Sequence, residues 1–262
     1  MPEELAPRGL GELFADTYRI VFGRFFKLLT AYLMILVPVA VAGAVLQHRP
    51  GEADRRLWIA FALLTYFVWT IPRAAGLLVV ADYRAGTTTP LRRCLGLALR
   101  KTVTLMGLAF VVSLFTTLGL LLLVVPGLVV IAMFAVAAEV AVFEDLPMAR
   151  ALGRSRELTR RRRIFTLVFL ALVLLSVAVP AGIVEALVGA VFGKGLIGAA
   201  YEAFRTLITT LVLGVAAGVL YLDLRVRKEA LTAEGLGDRL DRLQEALPRP
   251  PVPPARNRAD LV

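Results

Sequence analysis

The chain has 262 residues, of which 58% are hydrophobic, and it carries a formal net charge of +10. Its mean hydropathy of +0.76 exceeds what a soluble core requires, and its apolar residues form runs of about 20, the length that crosses a hydrocarbon layer. This pattern excludes an ordinary soluble domain and predicts an all-α, polytopic membrane protein. Because the basic residues flank apolar runs, we attribute the charge to insertion and anionic lipid rather than to nucleic acid.

An amphipathic segment, "LGELFADTYRIVFGRFFKLL", leads into the first predicted span, residues 26–47. Leu13 and Val21 recur in it at helical spacing, which predicts a helix that lies in the headgroup layer. The alternative for this span is a signal peptide cleaved near its Ala-Gly-Ala sequence. The segment before it is long and partly acidic, unlike the short basic start of a signal peptide, which favours a retained span.

The middle of the chain holds a second span, a basic amphipathic segment and then one unbroken apolar run, residues 102–143. As a helix, this run would be about 63 Å long, twice the thickness of a bilayer core. We therefore predict that it turns at Pro126 and Gly127, because proline interrupts the backbone ladder and glycine accepts turn conformations. The second, third and fourth spans are then residues 58–81, 102–125 and 128–143.

A third amphipathic segment ends in four consecutive arginines, Arg160, Arg161, Arg162 and Arg163. We expect these side chains to contact lipid at the anionic inner leaflet. The fifth and sixth spans follow at residues 164–188 and 201–224. The prediction is thus six transmembrane helices in three hairpins, each preceded by a cytoplasmic amphipathic helix. Two alternative explanations fit this pattern. The chain either contains three structural repeats or has basic connectors because polytopic membrane proteins generally need them on the inner side.

The distribution of lysine and arginine predicts the orientation of the spans. If both termini are cytoplasmic, 24 of the 30 basic residues lie on the cytoplasmic side and four lie on the outer side. Arginine outnumbers lysine 26 to 4, which is typical of a GC-rich bacterial genome. The predicted location is therefore the bacterial cytoplasmic membrane.

Residues 230–262 form a predicted cytoplasmic tail, separate from a membrane domain of residues 1–229. Leu236, Leu240 and Leu243 at helical spacing predict a short amphipathic helix. The sequence "PRPPVPPARNR" after it predicts a disordered end. Two interpretations of this end are open: it is simply solvated, or it is a docking site for another protein.

Two ionisable residues within the predicted spans are candidates for a functional site, because an unpaired charge in a membrane is costly. Arg73 lies about 12 Å from the inner end of the second span, and Glu139 lies one turn from the inner end of the fourth. The two side chains can therefore meet. They form either a structural ion pair or a site for a lipid phosphate or another anion.

Charged residues of both signs end the sixth span: Asp223, Arg225, Arg227 and Glu229. Residues four apart on a helix are neighbours, as Arg225 and Glu229 are. We interpret the group as a charged collar that fixes the last helix against the connectors. Catalysis by these residues is the less favoured interpretation.

Patterns typical of enzymes are missing from the sequence. The single histidine, His48, and the single cysteine, Cys94, have no metal-binding spacing around them. The sequence contains no nucleophile elbow and no glycine-rich phosphate loop. We expect no enzymatic activity, no metal and no cofactor.

Two motifs resemble a known family. "VFED" with the following "ARALGRSRELTRRRR", and "YLDLRVRKEA" from Tyr221, resemble the membrane domain family of glycerophosphoryl diester phosphodiesterases. The resemblance covers about residues 10–229 and implies a membrane domain. The family pattern continues differently after Glu229, where this chain has Ala230. Only 38 residues follow Leu224, far fewer than the roughly 250 of a catalytic barrel, so the resemblance implies no phosphodiesterase activity.

These observations predict a non-enzymatic integral membrane protein that organises lipids or partner proteins through its basic inner face. One alternative is a transporter or lipid-translocating protein with a polar path past Arg73 and Glu139. Another alternative is a membrane anchor for a separately encoded enzyme. The expected partners are anionic lipids of the inner leaflet and a protein partner, and no nucleic acid.

Overall fold

The computed structural model describes residues 7–47, 70–87, 89–192, 196–229 and 231–245, together with five single positions between 56 and 65. Over these residues the chain is helical and contains no strand. The helices are α1 (Leu10–Gly23), α2 (Phe25–Gln47), α3 (Thr70–Ala85), α4 (Leu91–Arg100), α5 (Thr102–Leu122), α6 (Val124–Phe134), α7 (Ala137–Phe143), α8 (Met148–Thr159), α9 (Arg163–Phe192), α10 (Leu196–Glu229) and α11 (Ala233–Glu245).

Four stretches are long and apolar enough to cross a membrane, and they match the last four predicted spans. They are Thr102–Leu122, Val124–Phe143, Arg163–Val191 and Ala200–Glu229. In the most apolar 18 residues of the third stretch, 11% of the segment is buried. In the corresponding segment of the fourth stretch, 72% is buried. The last span is therefore the central helix of the bundle, and α9 turns most of its surface outward.

The first two predicted spans are matched less completely. Leu10–Gly23 and Phe25–Val39 meet at an angle of 73° and together form a fifth candidate, either a broken span or a re-entrant loop. Much of the start of the second predicted span lies outside the described residues, and so do His48 and the Pro-rich end. Its remainder begins α3 at Thr70. The six-span arrangement therefore stays a prediction.

The reversal between the third and fourth spans lies at Leu123, three residues before the predicted turn. Leu123 is extended (φ −168°, ψ 149°), and Pro126 and Gly127 already lie in the first turn of α6. The first N–H groups of a helix have no intrahelical partner, so a proline there costs no hydrogen bond. Gly127 instead permits close packing: a Cβ added to Gly119 would lie 2.9 Å from the Gly127 Cα.

The fourth span is broken near its middle. Helix α6 ends at Phe134 and α7 begins at Ala137, with Val136 outside helical geometry (φ −117°, ψ 17°). Backbone carbonyls near such a break lack helical partners and must accept other hydrogen bonds. Two carbonyls near this break do accept bonds from side chains, as described below.

Small residues allow α10 to pack closely on α2 and α3. A Cβ on Gly214 would lie 2.5 Å from the hydroxyl of Tyr32, and a Cβ on Gly218 would lie 3.4 Å from the Leu77 Cα. The two glycines are four residues apart, the spacing that brings membrane helices together. Leu77 and Tyr32 are fully buried in this contact.

The three predicted connectors form helices α1, α4 and α8, and the predicted tail helix is α11. Leu236 and Leu240 of α11 are buried in the same core as the spans, so the tail helix is docked on the bundle. On α4, Leu99 is 55% exposed, and Pro90 rather than Thr89 directly precedes the helix. The Thr89 hydroxyl instead bonds to Asp82.

Cys94 on α4 provides a test of this packing. Its side chain is fully buried, and burial followed by the negative charge of Asp82 raises the pKa of the thiol to about 11. We expect maleimide at pH 7.5 to label it at least about 100-fold more slowly than in the unfolded chain, because thiolate falls tenfold per pKa unit. The labelling rate should rise with pH up to that pKa. Equal rates with and without dodecyl sulfate would contradict the packing of α4.

Candidate functional site

Arg73 of α3 and Glu139 of α7 form an ion pair within the bundle. The Arg73 Nε donates to Glu139 Oε1 at 2.8 Å, and Nη2 lies 3.4 Å from Oε2. Glu139 is 1% exposed, whereas the Arg73 side chain is 38% exposed. The buried carboxylate therefore holds one edge of the guanidinium and leaves another edge accessible.

The break in the fourth span builds the rest of this site. Arg73 Nη2 also donates to the carbonyl of Ala135 at 2.8 Å. The carbonyl of Met133 accepts from the Ser155 hydroxyl of α8 at 2.9 Å. The break thus supplies one acceptor to the ion pair and another to the connector helix.

A cavity of about 460 Å³ lies beside the ion pair. It is bounded by α5, by the broken span and by α10. Arg73 is the one charged residue among its described lining residues, and Ser113 and Thr210 are the hydroxyl-bearing ones. The other lining residues are apolar or glycine: Leu105, Leu108, Ala109, Val112, Phe134, Ala137, Ala138, Leu213 and Gly214.

The end of α10 carries the predicted collar, and one face of it binds the segment after α7. Tyr221 donates its hydroxyl to Glu144 at 3.1 Å, and Arg225 Nε lies 3.9 Å from the same carboxylate. Arg225 also pairs with Glu229 at 2.9 Å. Arg154 of α8 pairs with both Glu144, at 3.1 Å, and Glu229. The two motifs that carry the family resemblance are therefore in direct contact.

The other face of the collar binds the start of the chain. Asp223 is 5% exposed, and it accepts from the backbone N–H of Arg8 at 2.9 Å and from Arg227 Nε at 2.7 Å. Arg227 also donates to the Arg8 carbonyl. The structure thus places Tyr221 and the four collar residues in one network. This network joins α10 to the N-terminal segment, to α8 and to the loop after α7.

Two buried carboxylates at the same end of the bundle were not identified from the sequence. Asp16 of α1 pairs with Arg84 of α3 at 2.9 Å. Asp82 pairs with Lys27 at 3.0 Å and accepts from the Thr89 N–H at 2.8 Å. The sequence held one local signal for Asp82, namely its position at the inner end of a predicted span, shortly before a Gly-Thr turn. We call this end of the bundle, with its collar and these two clusters, the charged end.

The arginine run lies at the charged end, between α8 and α9. Arg162 lies over the ring of Phe165 at 5.4 Å. A cavity of about 690 Å³ opens there, which we call the basic cavity. It is lined by Pro7, Glu157, Leu158, Arg160, Arg161, Arg162, Leu224, Arg227 and Lys228. Arg163 is not in this lining; it begins α9.

The charges of the basic cavity are unbalanced. Five cationic side chains line it against the single carboxylate of Glu157. Lys228 donates to that carboxylate at 2.7 Å, and this hydrogen bond lowers the pKa of Glu157, so it is ionised at neutral pH. Within the part of the chain that the structure describes, Arg160 and Arg161 make no ion pair. The basic cavity can therefore accept an anion.

Comparison of the chain with family models, with curated proteins and with solved structures finds no match. The resemblance seen in the two motifs therefore stays a prediction.

Proposed function

We propose that this chain is a non-enzymatic protein of the bacterial cytoplasmic membrane that binds and organises anionic lipids at the inner leaflet. Both termini and the charged end face the cytoplasm in this proposal. The observation that carries it is the basic cavity, with Arg160 and Arg161 free to meet phosphate. Anionic lipid gathers at this leaflet, and each nearby lysine or arginine adds about 1 kcal/mol of attraction.

The position of the basic cavity supports a lipid headgroup as its ligand. The cavity lies where α9, a long apolar helix with its surface turned outward, begins at Arg163. Leu158 and Leu224 line the cavity together with the arginines. A phospholipid beside α9 can therefore place its phosphate among the cations while its chains lie along the helix. Asp223 of the charged collar holds Arg227 in place, and Glu157 holds Lys228.

The test is lipid retention, measured by native mass spectrometry of protein purified in a mild detergent. We expect wild type to retain phosphatidylglycerol over phosphatidylcholine. Arg160→Gln with Arg161→Gln should weaken that retention roughly 30-fold, because about 2 kcal/mol of attraction is lost. The matched control is Arg92→Gln with Arg150→Gln, which removes the same charge from exposed positions outside the cavity.

Three other results would reject this proposal. Equal loss in the control variant would mean that overall charge, rather than the basic cavity, retains the lipid. A copurifying protein in fixed proportion without selective lipid would favour a scaffold or an anchor for a separate enzyme. Selective lipid release across the bilayer of proteoliposomes would favour the lipid-translocating alternative, whose supporting observation is the cavity beside Arg73.

A further inference from the structure

The guanidinium of Arg73 has donors that no residue in the described part of the chain accepts. Its Nε and Nη2 bond to Glu139 and to the Ala135 carbonyl. Its third nitrogen, Nη1, has no hydrogen-bond partner among the residues that the structure describes. Since Arg73 lines the 460 Å³ cavity and its side chain is 38% exposed, these N–H groups are accessible from the cavity.

The depth of this cavity makes unused donors costly. Arg73 lies nine residues before Asp82 of the charged end, about 13 Å along α3. That distance places the guanidinium within the hydrocarbon layer, where water is scarce and an unpaired N–H costs several kcal/mol. A ligand from the membrane with a suitable acceptor removes that cost.

The charge of the site selects the kind of acceptor. Arg73 and Glu139 together are neutral, and Arg73 is the one cation among the described lining residues. An anionic ligand would bring an uncompensated negative charge into the low-dielectric layer, which is strongly unfavourable. A neutral carbonyl oxygen accepts the same hydrogen bonds without adding charge. The apolar lining of the cavity suits a hydrocarbon portion on the same molecule.

We propose that this cavity binds a neutral membrane lipid that presents a carbonyl oxygen to Nη1 of Arg73. Two kinds of lipid have this chemistry below the headgroup layer: a diacylglycerol, through an ester carbonyl, and an isoprenoid quinone, through a ring carbonyl. Ser113 and Thr210 place further polar groups at the cavity wall. This site is separate from the basic cavity and does not depend on the function proposed for it.

The experiment is photocrosslinking in nanodiscs with three probes: a diazirine diacylglycerol, an azido naphthoquinone with an isoprenoid chain, and a diazirine phosphatidylglycerol. Labelled peptides are mapped by mass spectrometry, with and without excess unlabelled lipid. We expect one neutral probe to label residues 105–113 and 134–138 in a way that unlabelled lipid reverses. The neutral probe that labels identifies the source of the carbonyl.

Three variants separate binding from folding. Ala109→Phe narrows the cavity, and Arg73→Lys keeps a cation beside Glu139 but removes Nη1. Each variant should reduce labelling at least fivefold. Leu114 lies on the same helix as Ala109, but it is exposed and outside the cavity, so Leu114→Phe should leave labelling unchanged. The proposal is overturned if Ala109→Phe and Arg73→Lys label like wild type, if no neutral probe labels these peptides, or if phosphatidylglycerol labels them as strongly.

Discussion

Glu139→Leu is expected to destabilise the protein by about 3 kcal/mol, because it leaves the Arg73 guanidinium without its counter-ion inside the bundle. The carboxylate is 1% exposed and accepts from Arg73 at 2.8 Å, so water does not replace it. Thermal unfolding in mild detergent, followed by retention on a sizing column, measures the loss.

A double-mutant cycle separates this ion pair from simple packing. Arg73→Met alone leaves Glu139 unpaired and should destabilise the protein to a similar extent. Arg73→Met with Glu139→Leu removes both charges, so the double variant should be more stable than either single variant. Losses that simply add would show that the two residues are not coupled.

Asp82→Ala is expected to lower the free energy of unfolding by a similar amount, about 3 kcal/mol. Asp82 is 2% exposed, and its removal takes the counter-ion from the Lys27 ammonium and this acceptor from the Thr89 N–H. The same unfolding measurement applies. Because this cluster joins α2 and α3 to the start of α4, we also expect faster cleavage by protease near Thr89.

Two comparisons test the cause of that loss. Adding Lys27→Met to Asp82→Ala removes the unpaired cation and should restore part of the stability. Asp145→Asn removes another carboxylate, which is 64% exposed and pairs with Lys101 at the surface, so its effect should be small. If Asp82→Ala is as mild as Asp145→Asn, the buried cluster does not stabilise the fold.

The last four spans could be predicted from the sequence because hydropathy is a local property of the chain. The turn was misplaced at Pro126 and Gly127 because proline is accepted both in a turn and in the first turn of a helix. The bend between α1 and α2 was not predicted, because Gly23 is compatible both with a helix end and with the interior of a membrane helix. Local patterns therefore predicted the positions of the last four spans but not those of the turns and bends between helices.

The candidate sites divide in the same way. Arg73 and Glu139 could be paired in advance because both are charges within apolar runs, and membrane depth left them few partners. The partners of Asp16 and Asp82 could not be identified, because their ion pairs join segments far apart in the sequence. The collar residues were recognised by their closely spaced charges of both signs, but the contact of the collar with Arg8 depends on the tertiary fold.

The bond between the Arg8 N–H and Asp223 joins residues separated by 215 positions. At a synthesis rate of about 5 to 20 residues per second, the ribosome needs roughly 10 to 40 s to produce the second residue after the first. During that interval the N-terminal segment and α1 are already made, while α10, the helix around which they pack, is not. The early helices must therefore wait for α10, and the final assembly of this bundle can begin only after α10 has been synthesised.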